Sequence, residues 1–586
     1  MKLISLIINT EFRSLPVGFK IVFFDENNFT NTYDFAPYCL VGRNGSGKSN
    51  VLEAIASIFY HIECMHLVTL PEPFEKDELN PKGFDRSICI IDEFELEYLC
   101  KNVEDNNSFS INSELEINHI KISKVKGEAP KIYKRKVNDM EAISHELTGK
   151  LEVKEILPQF IIGYSSGENE LLSLPFFKLR FLQFDAYLIR LKKAYDSLKS
   201  ESSFVYLDES FNQAILLSLY LLDYHEVEEN SIDKLLLTPL IEEIGIQDIK
   251  SFRIVIRKDI SETYHLEYFS SLSENDKQKE YKTKVSLTYN VEAIIEKLKK
   301  CSTSSFYVEV DDDISNKGSL LYLDYFVNKE TKKAFKRIFG SSLNLFQSFQ
   351  ILLNLNLYQV NTELKTKIYQ SKNIFLNDDI VPIPYDEDRI FKFKDLELIK
   401  VNVKETIYTK QLSDGEFQLL HTIGLCLIFR DTNSLFLLDE PETHFNPEWR
   451  AKFITTIANC LKTDKKFLRD LLITSHSPFI VSDCKPDNVY IFNRDKEKLF
   501  VESAAKKRLN TFGTSVNVLT EEIFNKTESL GDYSLEILNK IRNRTFDSLE
   551  EIQKAKEDSR ILGDSAEKIL LFRELLLKEK ELNKND

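Results

Sequence analysis

Eight consecutive residues near the start of the chain have the types and spacing of a phosphate-binding loop. They are Gly42, Arg43, Asn44, Gly45, Ser46, Gly47, Lys48 and Ser49. Glycines at the first and sixth positions allow a tight turn whose backbone N–H groups point at phosphate oxygens. Lys48 would reach the β- and γ-phosphates of ATP, and the Ser49 hydroxyl would bind Mg²⁺. A chance glycine-rich turn is the alternative, and it is disfavoured because the chain has only 17 glycines in 586 residues.

Two adjacent carboxylates lie almost four hundred residues downstream, directly after the apolar run 435–438. Asp439 would hold Mg²⁺, either directly or through water. Glu440 would polarise the attacking water, which is the positioning role that phosphoryl transfer requires. The alternative is a solvated acidic turn after an ordinary strand, and the phosphate-binding loop favours the catalytic interpretation over it.

Two further segments could complete the site. Ser413 and Gly415 begin a strongly apolar stretch, so they would lie at a helix N-terminus, where anions bind. The loop at 42–49 already holds the phosphates of its own subunit, so this second site would meet the γ-phosphate on another subunit. A plain serine cap completed by Glu416 is the alternative. His476 could contact the γ-phosphate or the attacking water, although a histidine after a strand is often structural.

Strands and helices of the right length flank each of these groups. The apolar runs 37–41, 434–438 and 471–474 predict buried strands that end at the chemical residues. Residues 50–59 have apolar side chains at helical spacing, and the positive end of that helix dipole would face the phosphates. The elements therefore predict a nucleotide site at one edge of a sheet.

These four segments, in this order, resemble the ABC-type ATPase heads of the SMC/RecF group. The stretches 439–447 (DEPETHFNP) and 475–478 (SHSP) are similar to the bacterial AAA branch of that group. The resemblance implies that 42–49 is the Walker A loop, Ser413 and Gly415 the signature, Asp439 and Glu440 Walker B, and His476 the switch histidine. It also implies a D-loop at 442–446.

The sequence departs from the family pattern at two places. Asp414 stands where the signature usually has its second glycine, which would weaken or retune closure of the dimer. The glutamine that contacts the metal in this family has no clear counterpart. Gln159, at the end of 156–158, is the best candidate, and an ordinary surface glutamine is the alternative.

A narrower resemblance comes from 163–170 (GYSSGENE), from 510–515 (NTFGTS) and from the large central insertion. These segments are similar to restriction-associated ATPases, including the PtuA subunits of Septu-type and retron-linked anti-phage systems. That resemblance implies an ATPase that assembles as a homodimer or higher oligomer beside a separate HNH nuclease of the PtuB type. In retron-linked systems it would add a reverse transcriptase and its nucleic acid as partners.

Composition and charge narrow the class of protein. With 42% hydrophobic and 29% charged residues, the composition is that of a globular protein. The apolar runs are too short to cross a membrane and no signal-peptide pattern begins the chain, so we expect a cytoplasmic protein. The eight cysteines form no C-x-x-C pair, which predicts free thiols. A net charge of −16 argues against a surface that coats DNA.

A local basic segment is the best candidate for contact with nucleic acid. It contains Lys121, Lys124, Lys126, Lys131, Lys134, Arg135 and Lys136, and a solvated hairpin is the alternative.

The motif positions divide the chain into four parts. We predict an α/β fold in which an ABC-type P-loop head, a mixed sheet flanked by helices, is built from 1–170 and 385–520. A mainly helical lobe, without the heptads of a coiled coil, is inserted at 171–384. The tail at 521–586 is predicted to be helical and charged.

Three functions remain open from the sequence. The first is a defence ATPase that regulates a separately encoded nuclease, because no nuclease pattern is recognised here and few residues follow the strand at 488–492. The second is an SMC/RecF-like repair or recombination ATPase that binds DNA directly. The third is a switch or scaffold that binds ATP without hydrolysing it.

Overall fold

The computed structural model divides the chain into two compact units, Met1–Phe512 and Gly513–Asp586. It describes residues 1–24, 35–67, 70–76, 83–101, 117–137, 145–166, 172–193, 203–206, 211–222, 237–257, 291–311, 317–360, 362–371, 385–387, 389–463, 467–495, 498–526 and 530–585. All eight cysteines are buried free thiols, as predicted. Within the described part of the chain, no helix is long and apolar enough to span a bilayer.

The first unit has a seven-stranded mixed sheet at its centre. Its strands are β3 (Tyr38–Gly42), β8 (Phe160–Ser165), β9 (Phe204–Tyr206), β15 (Ser434–Asp439), β16 (Asp470–Ser475), β17 (Val489–Asp495) and β18 (Lys498–Ser503). They lie in the order β18-β17-β3-β16-β15-β8-β9. All neighbours are parallel except β18, which is antiparallel to β17. Every residue of β3, β15 and β16 is buried, which explains their continuous apolar runs.

The first unit also contains a six-stranded antiparallel sheet, whose strands lie between residues 2 and 146 of the chain. Its strands are β1 (Lys2–Ile8), β2 (Phe19–Val22), β4 (Phe94–Lys101), β5 (Ile117–Lys124), β6 (Lys131–Lys136) and β7 (His145–Glu146). Apolar and polar residues alternate near 88–137, which is the pattern of strands of this kind. Apolar side chains of this sheet and of the first helix form one core cluster, which includes Leu6, Ile55, Phe59, Leu96 and Ile120.

Besides its helices, the insertion supplies three strands of a five-stranded antiparallel sheet. That sheet contains β10 (Ile246–Arg257), β11 (Ser304–Asp311), β12 (Lys317–Phe326), β13 (Phe391–Lys400) and β14 (Ile407–Tyr408), in the order β11-β12-β10-β13-β14. The pairing of β10 with β13 joins the insertion to the sequence after it. Strand β9 also comes from the insertion, and it forms an edge of the central sheet. The insertion is therefore joined to the central sheet and to the later part of the chain by strand pairing.

Helices flank the sheets in the first unit. They are α1 (Lys48–Met65), α2 (Lys150–Ile156), α3 (Ser173–Lys193), α4 (Asn212–Leu222), α5 (Thr238–Glu243), a helical segment at 291–301, α6 (Lys329–Phe339), α7 (Ser342–Asn354), α8 (Thr362–Gln370), α9 (Asp414–Ile428), α10 (Pro447–Leu461) and α11 (Pro478–Ser482). The next helix, α12 (Val516–Phe524), belongs to the second unit. Helix α4 packs closely on α9, where a Cβ on Gly424 would lie 2.3 Å from Cγ2 of Ile215. This contact ties the insertion to the helix that follows Ser413.

The second unit, which contains the segment 521–586, is helical. After α12 it contains α13 (Asp532–Arg542), α14 (Leu549–Asp558) and α15 (Ala566–Asn585). Its small core is formed by Leu538, Ile541, Ile552, Ala555, Leu562, Leu571 and Leu575. Other apolar residues of the same unit are exposed, among them Ile561, Ile569, Leu570, Leu576 and Leu577.

Candidate functional site

The predicted phosphate-binding loop joins the buried strand β3 to α1, as its sequence pattern requires. Gly42, Gly45 and Gly47 all have positive φ, with values of 147°, 72° and 98°. Two of them are also crowded. A Cβ on Gly42 would lie 2.3 Å from the carbonyl oxygen of Phe492, and one on Gly47 would lie 2.6 Å from Oγ of Ser14. The loop therefore needs glycine for its backbone shape and for the close approach of neighbouring chain segments.

Replacing Gly42 with alanine is expected to destabilise the first unit by about 3 kcal/mol, because backbone strain and a clash with the main chain of Phe492 act together. Gly45→Ala is the matched control. It also has positive φ, but no atom of the described residues lies within 4 Å of the position that its Cβ would take, so about 1 kcal/mol is expected. Chemical denaturation followed by circular dichroism measures both. Equal losses in the two variants would contradict the assigned clash.

Lys48 begins the helix that follows the loop, and its ammonium group has three polar neighbours. Its Nζ donates to the carbonyl oxygens of Gly42 and Arg43, each at 3.1 Å, and lies 3.0 Å from Nε2 of His476. Burial lowers the pKa of Lys48, while the nearby carboxylates of Glu440 and Asp439 oppose that shift. The loop thus fixes a cation next to the ends of β15 and β16.

Ser49 and Asp439 form the predicted metal pair. Oγ of Ser49 donates to Oδ1 of Asp439 at 2.7 Å, and Oγ1 of Thr474 donates to the same oxygen at 2.5 Å. Burial raises the pKa of Asp439, and the hydrogen bonds from Thr474 and Ser49 oppose the rise. A hydroxyl and a carboxylate oxygen are the hard ligands that Mg²⁺ prefers. The donor set of this pair therefore fits Mg²⁺.

Glu440 follows at the end of β15 with an unusual backbone. Its φ is 47°, in the left-handed region that few non-glycine residues adopt. Its N–H donates to the backbone oxygen of Thr474 at 3.2 Å and to Oγ1 of the same residue at 3.0 Å, which holds this conformation in place. Strain of this kind is characteristic of functional sites. Here it turns the side chain of Glu440 out of the sheet and toward His476.

The carboxylate of Glu440 meets the predicted switch histidine. Its Oε1 lies 3.2 Å from Nε2 of His476, the atom that also contacts Lys48. The hydrogen bond from His476 lowers the pKa of Glu440, although burial acts in the opposite direction. Glu440 is therefore a carboxylate near neutral pH, as a residue that accepts a proton must be. One connected cluster therefore lies at the carboxyl ends of the parallel strands. It consists of Lys48, Ser49, Asp439, Glu440 and His476.

Comparison with known families places the chain in one of them. Residues 1–481 match the family model of the AAA ATPase domain, which is more than half of the chain. The protein belongs to the AAA ATPase domain family. The family implies binding and hydrolysis of ATP, and the sequence patterns predict that chemistry at the five clustered residues.

A second comparison finds a more local similarity. The chain is 26% identical over 164 residues to Protein ea59 of Escherichia phage lambda. The matched segment spans 28% of this chain and 28% of that protein.

In this AAA ATPase, the predicted signature begins α9 as a capped helix. Oγ of Ser413 accepts from the N–H of Glu416 at 3.3 Å, and Oε2 of Glu416 accepts from the N–H of Ser413 at 2.8 Å. Lys400 forms an ion pair with the same glutamate. Gly415 lies against the loop after Glu440, because a Cβ there would be 2.9 Å from the carbonyl oxygen of His444. Ser413 and Glu416 therefore form a capping box, which was the alternative to an anion site at this helix start. Ser413 is exposed there.

Gln159 requires a correction. Phe160 pairs with Ser434 at the start of β15, whereas Ser165 pairs with Asp439 at its end. Gln159 therefore lies at the amino-terminal end of these parallel strands, opposite to the end that carries Asp439. There its N–H donates to the carbonyl oxygen of Asn433 at 3.0 Å, and its Oε1 accepts from the N–H of Asn433 at 3.2 Å. It is not positioned to contact a cation at Asp439. The N–H of Ser166 does reach the carbonyl oxygen of Asp439, at 3.1 Å. The residues that follow, 167–170, lie outside the described part of the chain.

The sequence patterns did not single out Glu442, although it belongs to the site. Glu442 was predicted only within the loop 442–446, yet its side chain is buried beneath His476. Burial raises the pKa of Glu442 to about 7. The second glutamate in the sequence Asp439-Glu440-Pro441-Glu442 was the available signal, but nothing in the sequence says that it turns inward.

Proposed function

We propose that the protein is the ATP-binding and ATP-hydrolysing subunit of an anti-phage defence complex, an ABC-type head that dimerises around ATP and regulates a separately encoded HNH nuclease. The convergence of Lys48, Ser49, Asp439, Glu440 and His476 at one edge of the parallel sheet carries the enzymatic part of this proposal. The motif resemblance to ATPases of Septu-type and retron-linked systems supports the defence part.

Each residue of the cluster has a role in the proposed reaction. The loop 42–49 binds the phosphates, and Nζ of Lys48 neutralises their charge. Mg²⁺ held by Ser49 and Asp439 would supply further charge neutralisation and alignment of the phosphates. Glu440 orients and polarises the attacking water because its carboxylate is ionised and projects from the strand end. His476 contacts both Lys48 and Glu440, so it can hold the attacking group and the γ-phosphate in register.

The second ATPase head supplies the rest of the site. Ser413 is exposed at the N-terminus of α9, where the helix dipole favours an anion. In the proposed dimer this helix start caps the γ-phosphate bound to the partner subunit. Asp414 adds a negative charge at that position, which predicts weaker closure than a glycine would allow. Hydrolysis then removes the γ-phosphate that joins the heads, and the dimer reopens.

Surface properties of the second unit favour a protein partner for this ATPase. Ile561 and Ile569 are 77% and 70% exposed, and Leu570, Leu576 and Leu577 are each about half exposed. Exposed apolar side chains grouped in one small unit are typical of surfaces that bind another protein. This unit is the proposed attachment point for the nuclease.

Direct DNA binding, the alternative function, gains less support. The basic segment forms the β5–β6 hairpin, and three of its lysines, including Lys131 beside Glu128, are paired with acidic residues. Lys121 forms ion pairs with Glu95 and Glu97, and the buried Lys124 pairs with Asp92. These pairs reduce the positive charge that the hairpin could offer to a phosphate backbone.

The proposal is tested by expressing the tagged chain alone and together with the genes that flank it. We expect the chain alone to leave DNA and RNA intact and to purify with a nuclease when the neighbours are present. Cleavage by that complex should depend on the nucleotide, and Glu440→Gln should change it. Cleavage by the isolated chain would overturn the proposal, and tight ATP-dependent DNA binding in a gel shift would favour the repair alternative.

A further inference from the structure

Glu442 is buried directly beneath the loop that carries His476. Its side chain is 4% exposed. Its Oε1 accepts hydrogen bonds from Oγ of Ser475 and, at 3.3 Å, from the backbone N–H of His476. Oγ of Ser475 in turn accepts from the N–H of Ser477 at 2.9 Å. One carboxylate oxygen thus organises three consecutive residues around the histidine.

The backbone of Glu442 is equally fixed within the loop that follows β15. Its carbonyl oxygen accepts from the N–H of Phe445 at 3.0 Å and from Nε of Arg450 at 3.4 Å. Oγ1 of Thr443 donates to the carbonyl oxygen of Glu440 at 2.9 Å. The loop that begins at Glu440 is therefore joined to the loop that begins at Ser475 through the side chain of Glu442. A shift of either loop would be transmitted to the other.

Packing alone does not explain the buried carboxylate of Glu442. The second carboxylate oxygen, Oε2, is buried and has no hydrogen-bond partner among the residues that the structure describes. A buried oxygen in that state costs free energy, which an apolar side chain of similar size would avoid. The retained carboxylate is explained if its hydrogen bonds to Ser475 and His476 set the position of the imidazole.

We propose that Glu442 is a positioning residue, which holds His476 in contact with Lys48 and Glu440 and couples that contact to the loop 442–446. This inference rests on the proposed ATPase mechanism and deepens it. The loop 442–446 lies against the start of α9, because the backbone N–H of His444 donates to Oε1 of Gln418 and its carbonyl oxygen faces Gly415. When a second head closes on this region, Glu442 transmits the movement to the switch histidine.

Glu63 provides a matched control within the same protein. It is also a buried glutamate, and it accepts hydrogen bonds from both the hydroxyl and the backbone N–H of one serine, Ser203. It lies near the far end of α1, an 18-residue helix, and so about 20 Å from the phosphate-binding loop. A change there disturbs the fold in a similar way without touching the loop of His476.

The kinetic test uses Glu442→Ala, Glu442→Gln and Glu63→Ala in the full chain. We expect Glu442→Ala to lower kcat about tenfold, as loss of a group that orients a reacting residue does, with Kd for ATP changed by less than about threefold. Glu442→Gln should remain within about threefold of wild type, because its amide oxygen can accept both hydrogen bonds. Glu63→Ala should leave kcat unchanged even where its thermal midpoint falls.

The spectroscopic test reads His476 itself and needs no turnover. The ring signals of His476, assigned by comparison with a His476→Gln spectrum, should shift in Glu442→Ala and not in Glu63→Ala. Unchanged His476 signals in Glu442→Ala would overturn the positioning role. So would a result in which Glu442→Gln loses as much kcat and as much ATP binding as Glu442→Ala. If the wild-type protein hydrolyses no ATP, the proposed function fails, and the ring signals still decide the role of Glu442.

Discussion

Replacing Glu440 with glutamine is expected to lower kcat for ATP hydrolysis by about 10²- to 10⁴-fold, the usual contribution of a positioned general base. ATP binding should persist, because Lys48, Ser49 and Asp439 are untouched. The amide cannot accept a proton from water, whereas the native carboxylate is kept ionised by His476. Release of phosphate from MgATP, measured beside equilibrium binding of ATP, separates the two effects.

Glu448→Gln is the control for this substitution. Glu448 lies in the first turn of α10, is exposed, and pairs with Lys452 one turn away. The variant should therefore hydrolyse ATP at the wild-type rate. If Glu440→Gln hydrolysed ATP at more than about a tenth of the wild-type rate, Glu440 would not be the base.

Replacing Lys48 with alanine is expected to weaken ATP binding by about 10- to 100-fold, because it removes a charge-assisted hydrogen bond to phosphate of about 1.5–3 kcal/mol. The ammonium is buried at the loop mouth and already aligned by two carbonyl oxygens, so little ordering is needed when phosphate arrives. Titration with a fluorescent ATP analogue measures Kd directly.

Lys178→Ala tests whether any buried lysine would give the same result. Lys178 is also buried, and its Nζ also donates to two carbonyl oxygens, those of Tyr369 and Ser371. It lies in α3, outside the proposed site. Its loss should lower stability and leave Kd for ATP unchanged, whereas equal effects on Kd would assign the loss in Lys48→Ala to the fold.

The sequence predicted the phosphate-binding loop, the Ser49–Asp439 pair and the contact of His476 with this cluster, because each depends on a short pattern at the end of a buried strand. Gln159 was misplaced for a different reason. Its distance from Asp439 depends on which end of β8 lies beside the end of β15, and that is fixed by the parallel pairing of distant strands. A local pattern holds no information on that pairing.

The insertion and Glu442 illustrate the same limit. Strand β10 pairs with β13, more than a hundred residues away, so the sheet that joins the insertion to the core could not be read from local periodicity. Glu442 lies in a polar stretch, where a glutamate is usually solvated. Only the fold of the loop after β15 turns it beneath His476.

The mass in solution of the Glu440→Gln chain, with and without MgATP, tests most directly the claim that two heads close around ATP. Slow hydrolysis should trap the closed state, so MgATP is predicted to double the mass measured by light scattering. Adding Ser413→Arg should prevent the doubling, because the larger side chain obstructs the start of α9 at the facing phosphate. An unchanged mass at ATP concentrations that saturate binding would contradict the two-headed clamp.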